Sequence, residues 1–532
     1  MDKRGRRRDA EAIIIGAGLG GLVAGAYLSR RGVKVLVFEQ HRQPGGYFTT
    51  FRHKGYAFDG GIQGCEDSGM LLNMFRQLGL EGRVRFSKSR YAVAVGDAVS
   101  PMADIPDLER MYDALAGLFP ADAAALKSIS AEAQSFSRAL EAFGTMPNPM
   151  FMSLSEMARS LPRWMREYGR ELSTFPRFAR LLSTPIEDYL EQRLSQPELR
   201  RILGMMAYRG TPASFGLSFV SYFLDYYYPE GGVQAIPDAL ASLIEERGGS
   251  IEYRALVEEI LLDEGRACGV RLADGRTFRA PFVINDGDAR RTYLKMLPAS
   301  AVPAGWRRRL EQAELAESAF TVFLGVDIPP EELDLAGCHH LLVLPDSGPP
   351  DPGRPGDIEE FYRCSFMEIS APSLHDPALA PPGKSSLILH ALAEPDLSHW
   401  KVEEGEVGGD GKPGPAYREL KEKVTEVLMA KAERYVPGLS SRIEVKLAAT
   451  PYTHQRYTLN SGGTTVGWTY RQGRGFFRHF MPMTGFRTPV PHLYQVGHWA
   501  MTPGGAPSAI ISGRMVSDLV RARLRLARDH NL

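Results

Sequence analysis

Residues 12–39 narrow what this chain can fold into more than any other stretch. Ala12-Ile13-Ile14-Ile15 is a short apolar run rich in β-branched residues, the pattern of a strand buried on both faces. Gly16-Ala17-Gly18-Leu19-Gly20-Gly21 follows without a spacer and carries G-x-G-x-x-G through Gly16, Gly18 and Gly21. The pattern predicts a helix from about Leu19 to Arg31, stopped by Gly32 at the C′ position. A second strand is expected over Val33–Phe38, closing on Glu39. In such a unit the first glycine permits the turn, the second lets backbone approach a pyrophosphate, and the third allows tight helix–strand packing. The helix N-terminus, with Leu19 and Gly20 in its first turn, presents free N–H groups and a positive dipole end to phosphate. Glu39 stands 23 residues after Gly16, where a carboxylate accepts hydrogen bonds from a ribose diol. The glycine motif alone is weak; strand, loop, helix, strand and acid in this order point to a dinucleotide-binding unit.

The same stretch imitates a secretory signal, because a basic head (Lys3, Arg4, Arg6, Arg7, Arg8) precedes an uncharged run from Ala12 to Ser29. Five glycines within that run disfavour an apolar signal helix, and the run is too short and glycine-rich to span a bilayer comfortably. Residues 1–8 are read as a solvated basic tail, with a role at a membrane surface as the second reading. Hydrophobic residues make up 44% and charged residues 24% of the 532, which excludes a largely disordered chain. Basic and acidic residues balance at 63 each, so no global charge draws the chain to nucleic acid. Cys65, Cys268, Cys338 and Cys364 lie far apart without metal-ligand spacing. They read as reduced thiols of a cytoplasmic protein with no bound metal.

The continuation supplies a second glycine pair, Pro44-Gly45-Gly46-Tyr47, and then Gly55-Tyr56-Ala57-Phe58-Asp59-Gly60-Gly61. Near the other end stand Gly497-His498-Trp499 and Pro503-Gly504-Gly505-Ala506-Pro507, followed by a helical stretch. Between them Gly231-Gly232-Val233 opens a helix to about Arg247. A strand meander follows through Ile251–Asp263, Ala267–Leu272 and Thr277–Asn285, turned at Asp274-Gly275. These three blocks, roughly half the chain, resemble the FAD-dependent family that holds phytoene desaturases, carotenoid isomerases and retinol saturase.

The resemblance implies an α/β fold: a Rossmann-type FAD-binding domain built from discontinuous segments (9–100, 232–300 and 486–527), with an inserted α+β substrate domain (101–231 and 301–485). It assigns FAD contacts to Gly16, Gly18, Leu19, Gly20, Gly21, Glu39, Gly45, Gly46, Tyr47, Val257, Gly497, Gly505 and Ala506. Tyr47 stands where amine-oxidase relatives usually carry an arginine, and His498 where many relatives carry an acidic or small residue. Backbone amides at 504–506 and the following helix would stabilise negative charge on reduced flavin. His498 and Asp59 are the candidate catalytic groups, proton or electrostatic partners. Each also has a structural reading, and for Asp59 that is acceptance of nearby backbone N–H groups in the Gly60-Gly61 turn.

Within the inserted region, Phe320–Val326 and Leu387–Leu392 read as buried strands and Tyr417–Tyr435 as an amphipathic helix. Pro345–Gly356 and Glu403–Pro415 are loops without periodicity. In a predicted helix over 150–170, Leu154, Met157, Leu161, Trp164 and Met165 share one face and Arg159, Arg163, Arg166 and Arg170 the other, with a kink expected at Pro162. An ordinary lid or core-facing helix with a solvated back is the first reading, and peripheral membrane contact the second. Aromatics cluster at Phe215, Phe219, Tyr222, Phe223, Tyr226, Tyr227 and Tyr228; Tyr222, Phe223 and Tyr226 are the candidate substrate contacts. An apolar tunnel and an ordinary core both need such walls. The expected activity is desaturation, saturation or cis–trans isomerisation at C=C bonds of an apolar polyene or isoprenoid. An FAD-dependent amine oxidase and a non-catalytic, flavin-stabilised lipid-binding protein are the alternatives.

Overall fold

Two parallel neighbours, one on each side, fix the position of the first strand. β1 (Ala12–Ile15), β2 (Val35–Phe38), β3 (Ser250–Glu252), β4 (Val283–Asn285) and β5 (Leu493–Gln495) pair in the order β3-β2-β1-β4-β5, all parallel. All four β1 residues are buried, as an apolar run in a sheet covered on both faces requires. α1 (Leu19–Arg30) leaves β1 through the glycine loop and packs between α2 (Ala235–Glu246) and α3 (Ala506–Asp529). α1 and α3 approach so closely that a methyl group at Gly513 would stand 2.6 Å from the Gly20 carbonyl oxygen. Pieces from the start, middle and end of the chain thus build one doubly wound unit. Its ligand crevice lies where strand order reverses beside β1.

The computed structural model describes residues 9–145, 154–173, 175–346, 358–400, 413–470, 486–502 and 504–529. The basic tail at 1–8, residues 150–153, much of both Pro/Gly-rich loops and Pro503 lie outside the described residues.

Two expected strands are divided. Ile251–Asp263 becomes β3 in the parallel sheet and Val257–Asp263 in a separate three-stranded antiparallel meander, because Arg254 takes a left-handed φ of 56° between them. Thr277–Asn285 likewise divides into Thr277–Arg279 of the meander and β4, around Pro281, which has no N–H to donate. The second strand starts at Val35 rather than Val33. The helix before it ends at Arg30, with Arg31 as its C-cap and Gly32 at φ 75°.

The inserted region is a layer of helices and a seven-stranded sheet. From one edge to the other the sheet runs Ile443–Ala449, Ser318–Val326, Ser385–Ala393, Met367–Ser370, His340–Val343, Tyr91–Val95, Ala98–Met102. Only the pair Tyr91–Val95 and His340–Val343 is parallel. Since Tyr91–Val95 already belongs to this sheet, the chain leaves the dinucleotide unit before residue 100. One sheet face carries Val322, Leu341, Ile369 and Leu389 against the amphipathic helix Pro415–Glu433. Strand alternation turns Tyr91, Leu342, Glu368 and His390 to the other face, toward the helices and the cavity.

The helix expected over 150–170 is Leu154–Leu172. Its backbone departs from helical geometry at Tyr168 (φ −126°, ψ 19°) rather than at Pro162. Trp164 is buried, yet Leu161 and Met165, on the face expected to be apolar, are 53% and 57% exposed. Among the described residues, no helix is long and apolar enough to cross a membrane.

Candidate active site

The glycine loop, the acid after β2 and the second glycine pair converge at the C-terminal end of the parallel sheet. Glu39 is buried. Its carboxylate accepts the Ala17 N–H at 2.8 Å through Oε2 and the His41 N–H at 2.8 Å through Oε1, which holds it against the glycine loop. Gly45 donates its N–H to the Ala17 carbonyl at 2.8 Å, which lays the second glycine pair alongside the first. Gly45 and Gly46 adopt φ values of 129° and 60°. From the far end of the chain, Gly497 binds Ser512 Oγ through its N–H at 2.9 Å, and α3 opens at Ala506.

These parts line one continuous cavity of about 1530 Å³, beyond the ~300–1,000 Å³ usual for small-molecule pockets. Of the thirteen residues assigned to the cofactor, all but Gly21 line it; Gly21 is packed against the Gly16 carbonyl, as the third glycine of the motif should be.

The cavity extends from this cradle into a chamber walled by Phe215, Phe219, Tyr222, Phe223 and Tyr226. The three candidate substrate contacts are therefore together. Tyr228 does not line the cavity; it is buried behind it and donates its hydroxyl to Asp59 Oδ2 at 2.5 Å. Asp59 itself accepts from Thr50 Oγ1 at 2.6 Å and from Val233 N–H at 3.1 Å. It is fully buried and not part of the cavity wall, so it ties distant segments together rather than capping its own Gly60-Gly61 turn. Burial raises its carboxyl pKa despite these donors.

His498 lines the cavity, and its Nε2 finds no hydrogen-bond partner among the described residues. Burial lowers its pKa to about 4, which keeps the imidazole neutral near pH 7. Tyr47 packs beside it at 6.2 Å between ring centroids. The Tyr47 hydroxyl donates to the Thr464 carbonyl at 2.8 Å, and burial pushes its pKa up to about 12.

Several site residues carry no motif and were missed in the sequence. Asp286, just past β4, lines the cavity and accepts the Gly18 and Gly21 N–H groups at the start of α1. A methyl group at Gly18 would stand 2.5 Å from its Oδ2, and one at Gly497 2.2 Å from its Oδ1. Burial, and then the nearby Glu39 carboxylate, push its pKa up to about 8. Glu66 also lines the chamber, its carboxyl pushed up to about 8 by burial and by the neighbouring Asp225 and Asp67. Glu368 and His390 face the cavity from the large sheet. The available signal was a polar residue interrupting an apolar strand, as in Met367-Glu368-Ile369 and Ile388-Leu389-His390.

The donor set fits FAD. Glu39 would hold the ribose, the N-terminus of α1 the diphosphate, and Tyr47, Val257 and the start of α3 the ring system. Asp286 is the one discordant group, because its carboxyl already occupies the amides the diphosphate needs.

Fold and cavity together define a flavin-dependent oxidoreductase. The chain belongs to the flavin-containing amine oxidoreductase family, which it matches over residues 19–521. It is 27% identical to the chloroplastic prolycopene isomerase of Arabidopsis thaliana, over 98% of this chain and 85% of that one. It is 26% identical to the all-trans-retinol 13,14-reductase of Rattus norvegicus, over 96% of this chain and 87% of that one. With the lycopene-forming phytoene desaturase of Pseudescherichia vulneris it shares 25% identity, over 96% and 99% of the two chains. FAD is the cofactor of this enzyme.

Proposed function

We propose that this enzyme acts on C=C bonds of an apolar polyene or isoprenoid, carotenoid- or retinoid-like, by desaturation, saturation or cis–trans isomerisation. The observation that carries the reading is the unbroken cavity between the flavin cradle and an aromatic chamber. A chamber walled by Phe215, Phe219, Tyr222, Phe223 and Tyr226 suits a long conjugated molecule, which has no charged group for a wall to recognise. The three relatives, named for an isomerase, a reductase and a desaturase of polyenes, support the same class. Bound FAD supplies hydride acceptance and donation, and the protein supplies position, dryness and protons. We assign Tyr222, Phe223 and Tyr226 to the substrate. His498 is assigned to the flavin edge as a neutral imidazole; Asp59, behind the wall, holds Tyr228 in place. An amine oxidase is the weaker reading, since Tyr47 and not an arginine stands beside His498.

The test is anaerobic reduction of the FAD-loaded enzyme followed by mixing with a carotene or retinol. The expected result is a new product absorption spectrum, with flavin reoxidation if the reaction is a saturation. Polyenes left unchanged while primary amines bleach the oxidised flavin would overturn the proposal in favour of amine oxidation. A polyene that binds without product would favour a carrier.

The exposed Leu161 and Met165 support peripheral contact of the helix Leu154–Leu172 with a bilayer, Arg159, Arg163 and Arg166 meeting anionic headgroups. In this reading the enzyme is cytoplasmic and draws its substrate from the membrane.

A further inference from the structure

A two-electron change at a carbon–carbon bond moves one hydride, with its electron pair, and one proton. Bound FAD takes or gives the hydride; the proton is left to the protein. The inner face of the large sheet holds a route for it. Glu368 lines the cavity, with Tyr208 and Tyr226 near enough to feel its charge. Behind it, Glu368 Oε1 meets His340 Nδ1 at 2.9 Å in a buried contact. The other nitrogen of that ring, Nε2, lies 3.4 Å from His375 Nε2, which Ser89 Oγ approaches at the same distance. His375 Nδ1 in turn lies 3.0 Å from Ser87 Oγ, and Ser87 is exposed. Both nitrogens of both imidazoles are therefore used, and the chain of contacts runs unbroken from the cavity wall to solvent.

Packing holds the rings in this order. Tyr91 stacks on His340 at 4.3 Å and Tyr228 on His375 at 4.5 Å, each within 15° of parallel. Burial first, and then His340, His339 and Arg90, lower the His375 pKa to about 2, so this ring is neutral and passes a proton by exchanging tautomers. Among the described residues, no group of histidines, cysteines and carboxylates is placed to hold a metal ion, which leaves hydrogen bonding as the use of the cluster.

We propose that Glu368 exchanges the substrate proton and that His340 and His375 are positioning residues that relay it to the surface at Ser87; this rests on the polyene reading above. In desaturation the substrate C–H proton passes to the Glu368 carboxylate. Glu368 protonates His340 at Nδ1, and His340 releases its Nε2 proton to His375 Nε2. His375 then releases its Nδ1 proton through Ser87 to water. Saturation runs each hop in reverse. No net proton stays on the relay, and its rings return to their starting state by a tautomer flip.

The test compares single turnovers of wild type with Glu368→Gln, His340→Phe, His375→Ala and His375→Gln, each loaded with FAD and checked by its flavin absorbance. Glu368→Gln should slow the polyene step by about 10²-fold, the lower end of general acid–base effects. The histidine variants should slow it by about tenfold and enlarge the solvent deuterium isotope effect, because proton delivery then limits the rate. Added imidazole should restore His375→Ala, whose gap opens beside exposed Ser87, and leave wild type unchanged. His375→Gln keeps one donor and one acceptor without tautomer exchange, so a loss there, in a variant that retains FAD, separates relay from packing. Flavin-loaded variants at the wild-type rate would overturn the relay and leave the polyene reading standing, as would a slow His375→Ala with no imidazole rescue and an unchanged isotope effect. A wild-type enzyme inert toward polyenes overturns both.

Discussion

Half-buried Asp286 and buried Glu39 are two carboxylates against the same glycine loop, with opposite consequences for the cofactor. Glu39 would hold the ribose; Glu39→Ala should weaken FAD binding by about tenfold or more, since hydrogen bonds to a charged group are worth ~1.5–3 kcal/mol. Asp286 lies at the Gly18 and Gly21 amides that would meet the diphosphate, where its negative charge would repel the cofactor. With its pKa raised to about 8, it is neutral below that pH and ionised above it. The FAD dissociation constant is therefore expected to rise as pH climbs through about 8. Among the described residues, the charged group that shifts Asp286 is Glu39, also acidic, and it adds to the repulsion; the Gly18 and Gly21 amides act the other way. Asp286→Asn should flatten this dependence and tighten binding at pH 9 by about tenfold, less than the ~4 kcal/mol between unit charges ~4 Å apart near a protein surface. Fluorescence quenching of titrated FAD reads both variants. The folded apoprotein holds the Asp286 proton between the unfolded carboxylate pKa and about 8, so this group's contribution falls as pH rises through that window. Asp286→Asn should raise the apoprotein melting temperature there, most at the alkaline end. The motif made Glu39 legible in the sequence. Nothing local made Asp286 so, because its neighbours Gly18, Gly21 and Gly497 come from both ends of the chain.

At the scale of elements, β1, α1 and β2 were legible because contacts within about thirty residues define them. The strands after residue 250 were legible as strands but not in their grouping. Ser250–Glu252 and Val257–Asp263 look like one run until their partners, β2 for the first and Arg266–Leu272 for the second, are known. Cavity-facing residues of the large sheet were hidden for the same reason: which face of Met367–Ser370 looks inward is set by strands far away in sequence. The helix Leu154–Leu172 is amphipathic in sequence, yet of Leu161, Trp164 and Met165 on its apolar side Trp164 is buried and the other two are exposed. Leu161→Glu with Met165→Glu should abolish flotation with anionic liposomes. The melting temperature should hardly change, because exposed substitutions usually stay within ±0.5 kcal/mol. Flotation equal to wild type would remove the membrane contact.

At the scale of the molecule, the discontinuous assembly makes cofactor and fold interdependent. The cavity wall draws on the first strand, the meander and the last helix, so ligand binding couples to the stability of all three. FAD at 100 times its dissociation constant should stabilise the folded state by ~2.7 kcal/mol, seen as a rise in melting temperature on adding FAD and absent on adding AMP at the same concentration. The alternation of fold segments along the chain was legible from the glycine motifs at both ends. The crossing into the large sheet at Tyr91 was not, since Tyr91–Val95 is an apolar alternation that either sheet would accept.

The close seat of Gly20 against both Gly513 and Gly497 has a consequence for how the enzyme is born. Residues 16–46 of the cradle are made about 450 residues before Gly497, Gly505 and Ala506, and both stretches line the cavity. FAD capture is then expected to wait for both stretches, so a chain cut before residue 497 should purify without flavin colour.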